Sequence, residues 1–268
     1  MNPFGILYNP FSIADALERL MDGTLFDAPE LFQHNGLWHS FAHHGSFSSA
    51  SPEQTLTMIN GRLETAHEAL KHCRHLFITF GTAWIFRLKS TGQVVANCHK
   101  LPANEFIHER ISTDAFVDRW MPLMHRLHQY NPDLQILFTV SPVRHLSDGA
   151  HENQLSKATL LLLVERLCKE SNTSYFPAYE LMLDDLRDYR FYAPDMTHPS
   201  QTAIDYVWER FSDCFFDEET RALMIEIDKI NNELQHRPLF PDSKAYQSFQ
   251  QQTKKKIMML QQHYPFIK

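Results

Sequence analysis

Apolar positions along the chain repeat with two periods, and the alternation between them sets the expected architecture. Helical spacing is clearest after Ser51-Pro52-Glu53-Gln54, where Leu56, Ile59, Leu63, Ala66 and Leu70 follow an N-cap, a proline at the first helical position and a Gln placed for a capping box. Ile13, Ala16, Leu17 and Leu20 predict a shorter amphipathic helix over 12–21, with Ser12 as its cap. Phe116, Trp120, Leu123 and Leu127 predict a third, bent at Pro122 and closed by Asn131-Pro132, and Leu155, Ala158, Leu162 and Leu167 a fourth. Short apolar runs at 76–80 and 135–140 read instead as buried strands, with a brief strand at 174–176. Lys89-Ser90-Thr91-Gly92 between 83–88 and 93–98 predicts a β-hairpin. From 30 to 48 neither period is clean, and an ordered loop over a pocket is expected.

Helix and strand alternating in this way predict an α/β domain with a parallel sheet. Such sheets place ligands at the carboxyl ends of their strands, which puts Gly81-Thr82, Ser141-Pro142-Val143-Arg144-His145 and Asp195 to His198 on one rim. Beyond Phe216 the character changes to polar amphipathic helices over 218–234 and 243–263, so a domain over 1–216 with a helical extension over 217–268 is expected. Lys254-Lys255-Lys256 reads as a solvated helix face.

Composition narrows the function classes. The 268 residues, 43% hydrophobic, suffice for one substantial core. A formal charge of -7 argues against nucleic acid or an anionic membrane as the main partner. Cys73, Cys98, Cys168 and Cys214 are widely spaced without a C-x-x-C pair, as expected of reduced thiols in a cytoplasmic protein. No apolar run approaches the ~20 residues of a membrane span.

The chemistry-bearing stretch is Asp195-Met196-Thr197-His198-Pro199, which couples a carboxylate to an imidazole within one turn. His198 stands where a helix N-cap is expected, with Pro199 at the first helical position and Ala203, Tyr206, Val207 and Phe211 behind it. The positive end of that helix would keep His198 neutral, and Asp195 would hold a proton on the other ring nitrogen, as a general base requires. The plain alternative is that Asp195 caps a turn and His198 caps a helix.

A set of collinear segments extends the picture: Asn2-Pro3-Phe4-Gly5-Ile6-Leu7-Tyr8-Asn9-Pro10, His34-Asn35-Gly36-Leu37-Trp38-His39-Ser40-Phe41, Phe80-Gly81-Thr82-Ala83-Trp84, Val95-Ala96-Asn97-Cys98-His99-Lys100, Ser141 to His145, Glu152-Asn153-Gln154, Leu186 to Tyr192 and Asp195 to Ser200. Together they resemble the GSCFA-domain family, whose members look like relatives of the SGNH/GDSL ester hydrolases. The resemblance implies a three-layer α/β/α, flavodoxin-like parallel sheet and a serine-type attack on an acyl ester, with no cofactor. Asp195 and His198 would keep triad roles, and Gly5 would be a candidate oxyanion amide or a simple turn glycine. The expected partner is a small-molecule or saccharide ester, with neither nucleic acid nor membrane, and the oligomeric state is left open.

The Gly-Ser-Cys-Phe-Ala segment that gives the family its name, and whose serine corresponds to the nucleophile, belongs upstream of Asn-Pro-Phe-Gly and does not occur in this sequence. A truncated gene model and a natural form that binds without catalysing are the two expectations, the first preferred. In the SGNH strand order 2-1-3-4-5, truncation would remove two strands and leave the strand at 76–80 as an edge. Ser46, in Gly45-Ser46-Phe47-Ser48, matches the segment only in its first letters. Ala83 occupies the place of the oxyanion asparagine, so Thr82, Asn97 and His99 are candidate substitutes, with turn stabilisation and hairpin packing as alternatives. Ser141 is a candidate replacement nucleophile, although Pro142 removes an amide behind it. Arg144, Arg187 and Arg190 would hold an anionic group or sit in a buried Arg-Asp pair. Trp38, His39 and Phe41 are pocket wall or core. A metal reading of Cys98 and His99 with His39 or His43 lacks a tight ligand pair, and no metal is expected.

Overall fold

Asn9 starts the first helix of the computed structural model, which describes residues 2–240 and 242–267. In α1 (Pro10–Asp22) the Asn9 side chain accepts from the Ser12 amide at 2.8 Å and Pro10 takes the first turn. The cap expected at Ser12 therefore moves to Asn9, because a proline after the cap has no amide to satisfy. Ser12 is buried and accepts from Asn9 Nδ2 at 3.0 Å.

Residues 30–48 hold a hairpin where a loop is expected. β1 (Leu31–His34) and β2 (Leu37–Ser40) pair antiparallel about Asn35-Gly36. Both turn residues have positive φ, 48° and 75°, which a two-residue turn matching the strand twist requires and which Asn-Gly supplies. That local signal outweighs the missing alternation.

α2 (Pro52–His72) begins as its capping sequence predicts, with Ser51 Oγ accepting from the Gln54 amide at 3.3 Å. β3 (His75–Phe80) follows, then β4 (Trp84–Leu88), β5 (Val94–Val95) and β6 (Phe106–Arg110). The expected hairpin forms between β4 and β5, and β6 pairs with the other side of β4 to make a three-stranded antiparallel sheet. α3 (Thr113–Tyr130), β7 (Gln135–Val140), α4 (Ala150–Leu167), β8 (Thr173–Phe176) and the short α5 (Ala178–Glu180) complete the alternation.

The chain is α/β with a parallel sheet, in the order β3-β7-β8. Its register sets Phe80 beside Val140 and Phe138 beside Tyr175, so β3 and β7 end level. One face buries Ile78, Phe80, Ile136, Phe138 and Val140, and Trp120 of α3 stands edge-on to Phe80 at 5.0 Å and Phe138 at 5.8 Å. On the other face of β3, His75, Phe77 and Thr79 are exposed, so this strand is buried on one side only and not on both as its apolar run predicts. Its place at the sheet edge accounts for the difference.

α6 (Gln201–Phe215) starts later than Pro199. Pro199 bridges to Tyr192, and Ser200 Oγ accepts from the Ala203 amide at 3.4 Å, so Ser200 takes the place expected for His198. The described chain divides into two compact units, Met1–Val207 and Trp208–Lys268, the division falling within α6. In the second unit α7 (Glu218–Gln235) and α8 (Lys244–His263) bury Ile230 and Leu260, and Glu233 accepts from Thr253 Oγ1 at 2.8 Å and pairs with Lys256. Among the described residues no helix is long and apolar enough to cross a membrane.

Candidate active site

The Asp195–His198 loop builds its own geometry. Met196 takes a positive φ of 59°, and the loop closes with Met196 N donating to Ala193 O at 2.9 Å and Ala193 N to His198 O at 2.7 Å. Asp195 Oδ1 accepts from the His198 amide at 3.0 Å and the Thr197 amide at 2.9 Å, while Oδ2 lies 2.6 Å from His198 Nδ1. Those two amides and the imidazole hold the Asp195 carboxyl well below the usual carboxylate range. An ionised Asp195 fixes the ring proton on Nδ1 and leaves the Nε2 lone pair as the acceptor. Asp195 thus caps a turn and orients the imidazole at once, while His198 stands outside the helix. Among the described residues no side chain bonds to Nε2, and the His198 and Asp195 side chains are 61% and 51% exposed, on an open rim.

Arg144 joins that loop to the end of β7. Its amide donates to Thr197 O at 3.2 Å, its Nη1 to Met196 O at 3.3 Å, and its guanidinium lies 3.9 Å over the Tyr192 ring and 5.5 Å from Tyr189. Arg187 and Arg190 belong to the surface instead. Arg190 pairs with Asp188 at 2.9 Å with both side chains more than half exposed, which corrects the expected buried pair. Ser141 Oγ accepts from the Val143 amide at 3.2 Å, a local turn contact.

At the end of β3 the backbone is committed internally. Gly81 N and Thr82 N both donate to Tyr8 O, at 2.8 and 3.1 Å, and Thr82 Oγ1 accepts from Trp84 N at 3.1 Å. A Cβ on Gly81 would meet Tyr8 O at 3.1 Å and Tyr8 Cδ1 at 3.3 Å, so glycine permits this close approach. The Tyr8 ring stands edge-on to His145 at 5.9 Å. Burial, then the charge of Lys157, pushes the His145 pKa down, and His198 adds to the effect.

Asn97 and His99 bond toward the hairpin region and Gly5 within its own turn, not toward the Asp195–His198 loop. Gly5 N donates to Asn2 O at 2.9 Å. Asn97 Oδ1 accepts from His99 N at 2.8 Å, and His99 Nε2 meets Ser40 O at 2.8 Å. His39 lies against His99 at 4.5 Å, with its Nδ1 2.6 Å from Ser48 Oγ. Ser46 Oγ bonds to His44 Nδ1 at 3.0 Å. Among the described residues no three His, Cys, Asp or Glu side chains converge as metal ligands. Burial pushes the Cys98 thiol up to about 11, away from a reactive thiolate.

His43, 1% exposed, makes this cluster acid-sensitive. It stacks on Phe4 at 4.8 Å, meets Phe26 edge-on at 4.8 Å and bonds through Nδ1 to Ser40 Oγ at 2.9 Å. Burial, with smaller effects from Arg19 and His99, pushes its pKa down to about 3. The folded value lies below the unfolded one of about 6.5, so its contribution is complete above that pH and is lost as pH falls toward about 3. From this residue alone the unfolding free energy is expected to drop by about 2 kcal/mol between pH 7 and pH 5. Urea unfolding at both values checks it: His43→Leu should flatten the dependence, and an unchanged slope in that variant would place its source elsewhere.

A family model described as the GSCFA family matches residues 1–211, and one described as the C-terminal domain of GSCFA domain proteins matches residues 227–268. The chain belongs to the GSCFA family. No curated protein and no solved structure matches it.

In this GSCFA protein the first match covers every rim element, and several residues that build the rim lie outside the candidates that motif and spacing offer. Tyr8 accepts two amides. On α4, Asn153 Oδ1 accepts from His145 N at 2.9 Å, Ser156 Oγ from Ala83 N at 2.8 Å, and Lys157 donates to Gly81 O and Ser141 O. A signal for them does exist. Asn153, Ser156 and Lys157 fall at i, i+3 and i+4 in a leucine-rich helix, one polar stripe on a face that must be buried.

Proposed function

We propose that this GSCFA protein carries the base half of an SGNH-like ester hydrolase, acting on an acyl ester of a small molecule or saccharide. The 2.6 Å contact between Asp195 Oδ2 and His198 Nδ1, in a His198 side chain that is 61% exposed, is the observation that supports it most. In such a centre a serine oxygen bonds to the ester carbonyl carbon as its proton passes to His198 Nε2, and the carbonyl electron pair moves onto oxygen. Collapse expels the alcohol, which takes the proton from Nε2, and water repeats the sequence on the acyl-enzyme. Asp195 stabilises the imidazolium in both halves. The parallel sheet with its loops at one rim is consistent with a three-layer, flavodoxin-like arrangement. The chemistry calls for no cofactor, and we place the protein in the cytoplasm with neither nucleic acid nor membrane as partner.

The sequence holds no Gly-Ser-Cys-Phe-Ala segment, and among the described residues no hydroxyl bonds to His198 Nε2. Turnover by the chain as given is therefore expected to be weak or absent. The same observation, with the Gly5, Gly81 and Thr82 amides all committed internally, favours a second reading, a non-catalytic protein that binds an ester or saccharide on this rim.

Hydrolysis of p-nitrophenyl acetate by the chain as given, and by any longer form its gene encodes, separates the two. In an active form, His198→Ala is expected to lower kcat by about a thousandfold. Absence of His198-dependent turnover in every folded form would leave the binding reading.

A further inference from the structure

Lys157 is 1% exposed and, among the described residues, is the one Lys, Arg, Asp or Glu classed as buried. Among the described residues no carboxylate pairs with it. Its Nζ donates to Gly81 O at 2.6 Å and Ser141 O at 2.7 Å and lies 5.8 Å from the centre of the Tyr179 ring. Those two carbonyls belong to the residues that directly follow β3 and β7, adjacent parallel strands that end level.

Each carbonyl shares a peptide plane with the next nitrogen. In the Gly81–Thr82 plane the far edge is held as well, since Thr82 N donates to Tyr8 O at 3.1 Å. In the Ser141–Pro142 plane the nitrogen has no proton, so the carbonyl is its handle and Lys157 its donor. We infer that Lys157 is a positioning residue of the candidate active site, its side-chain nitrogen fixing the two peptide planes at the ends of β3 and β7 and so the loops that carry the rim.

The neighbouring side chains of α4 act in the same sense, Ser156 on the Ala83 amide and Asn153 on the His145 amide. An apolar side chain of similar length would fill the space but leave two inward carbonyls without a donor. Burial pulls the Lys157 pKa down to about 7, so the fold strains against the charge it keeps. Both the charged and the neutral amine retain two N–H donors, and the clamp persists through the titration.

The test uses NMR on the chain as given and needs no catalysis; only the bearing of the clamp on hydrolysis rests on the function proposed above. In Lys157→Met the amides of Thr82 and Ala83 are expected to exchange with solvent at least about tenfold faster. His145, which faces Lys157, Asp148, His198 and the Tyr8 ring, should titrate at higher pH; burial is the larger cause of its low value, so a rise that persists when amide protection is restored is what assigns the effect to the lost charge. Lys157→Gln supplies N–H donors without charge and should restore amide protection in part but not the low titration of His145. In the wild type, the Lys157 side-chain protons should exchange more slowly than those of exposed Lys254, a measurement that stands even if the Met variant fails to fold.

Unchanged exchange at Thr82 and Ala83 in a folded Lys157→Met, or Lys157 protons as labile as those of Lys254, would overturn the clamp. Should a longer form prove active, Lys157→Met is expected to lower kcat with little change in KM. An unchanged kcat beside loosened amides would confine Lys157 to the fold and refute the positioning role. Failure of the hydrolase reading looks different, because wild-type turnover is then missing while the amide signals remain.

Discussion

Trp120→Ala is expected to destabilise the first unit by about 4 kcal/mol, a large share of the ~5–15 kcal/mol that holds a typical domain together. Trp120 is 0% exposed, stands edge-on to Phe80 and Phe138, and donates from Nε1 to Pro10 O at 3.1 Å. Alanine opens a cavity between α3 and the sheet that neighbours held in two strands cannot collapse to fill, and it removes the hydrogen bond to the carbonyl of Pro10, the first residue of α1. Trp120→Phe keeps much of the packing and loses the hydrogen bond, so about 1–2 kcal/mol is expected for it. Urea unfolding followed by circular dichroism reads both. A loss under about 2 kcal/mol for the alanine variant would show that the hub lies elsewhere. The consequence reaches the rim, because Phe80 directly precedes Gly81 and any slack beneath it moves the Gly81–Thr82 peptide.

Much of the scaffold is legible in local pattern, and the limits of that legibility follow from the range of the contacts. α2 is readable because Ser51-Pro52 ends one conformation and begins another within two residues. The pairing of β3 with β7 is readable because an intervening helix leaves a parallel crossover as the simple connection. β6 escapes notice because Ile107 and His108 are both exposed and give the strand no alternation to display. The Asp195–His198 contact spans three positions and so can be inferred from spacing, whereas the start of α6 cannot, since Pro199 is taken up by a bridge to Tyr192.

The support of the rim is a long-range matter. Lys157 finds Gly81 across 76 positions, and nothing in the motif around either residue announces the other. Arg144 looks in sequence like an anion-binding group at a strand end, yet folding brings Tyr189, Tyr192 and the Met196 carbonyl to it and commits it to bracing the loop. Polar residues chosen as candidate donors, such as Thr82, Asn97 and His99, already have partners of their own. Residue type proposes a chemistry, and hydrogen-bond accounting decides whether the group is free to perform it.

Asp195→Asn separates orientation from chemistry at the candidate site. The amide oxygen of asparagine can replace Oδ1 as acceptor from the Thr197 and His198 amides, so the loop should keep its turn and the protein its fold. In place of Oδ2, however, stands an NH2 group that can only donate, facing Nδ1 at the distance where the carboxylate now accepts. His198 must then protonate on Nε2, the nitrogen that a general base needs free. Nitrogen chemical shifts of the imidazole report the tautomer directly in the chain as given: Nδ1 protonated in the wild type, Nε2 in the variant. Acid dependence should change as well. The wild-type carboxyl stays ionised far below the usual carboxylate range, so its hold on the Nδ1 proton is expected to survive acidification, whereas the asparagine amide offers no such acceptor at any pH. In a catalytically active form kcat should fall by about a thousandfold or more with KM nearly constant, since the lost interaction grows as the imidazolium forms. A variant that retains the Nδ1 proton, or an active form whose rate falls by less than about tenfold, would show that Asp195 serves the turn alone and does not direct His198.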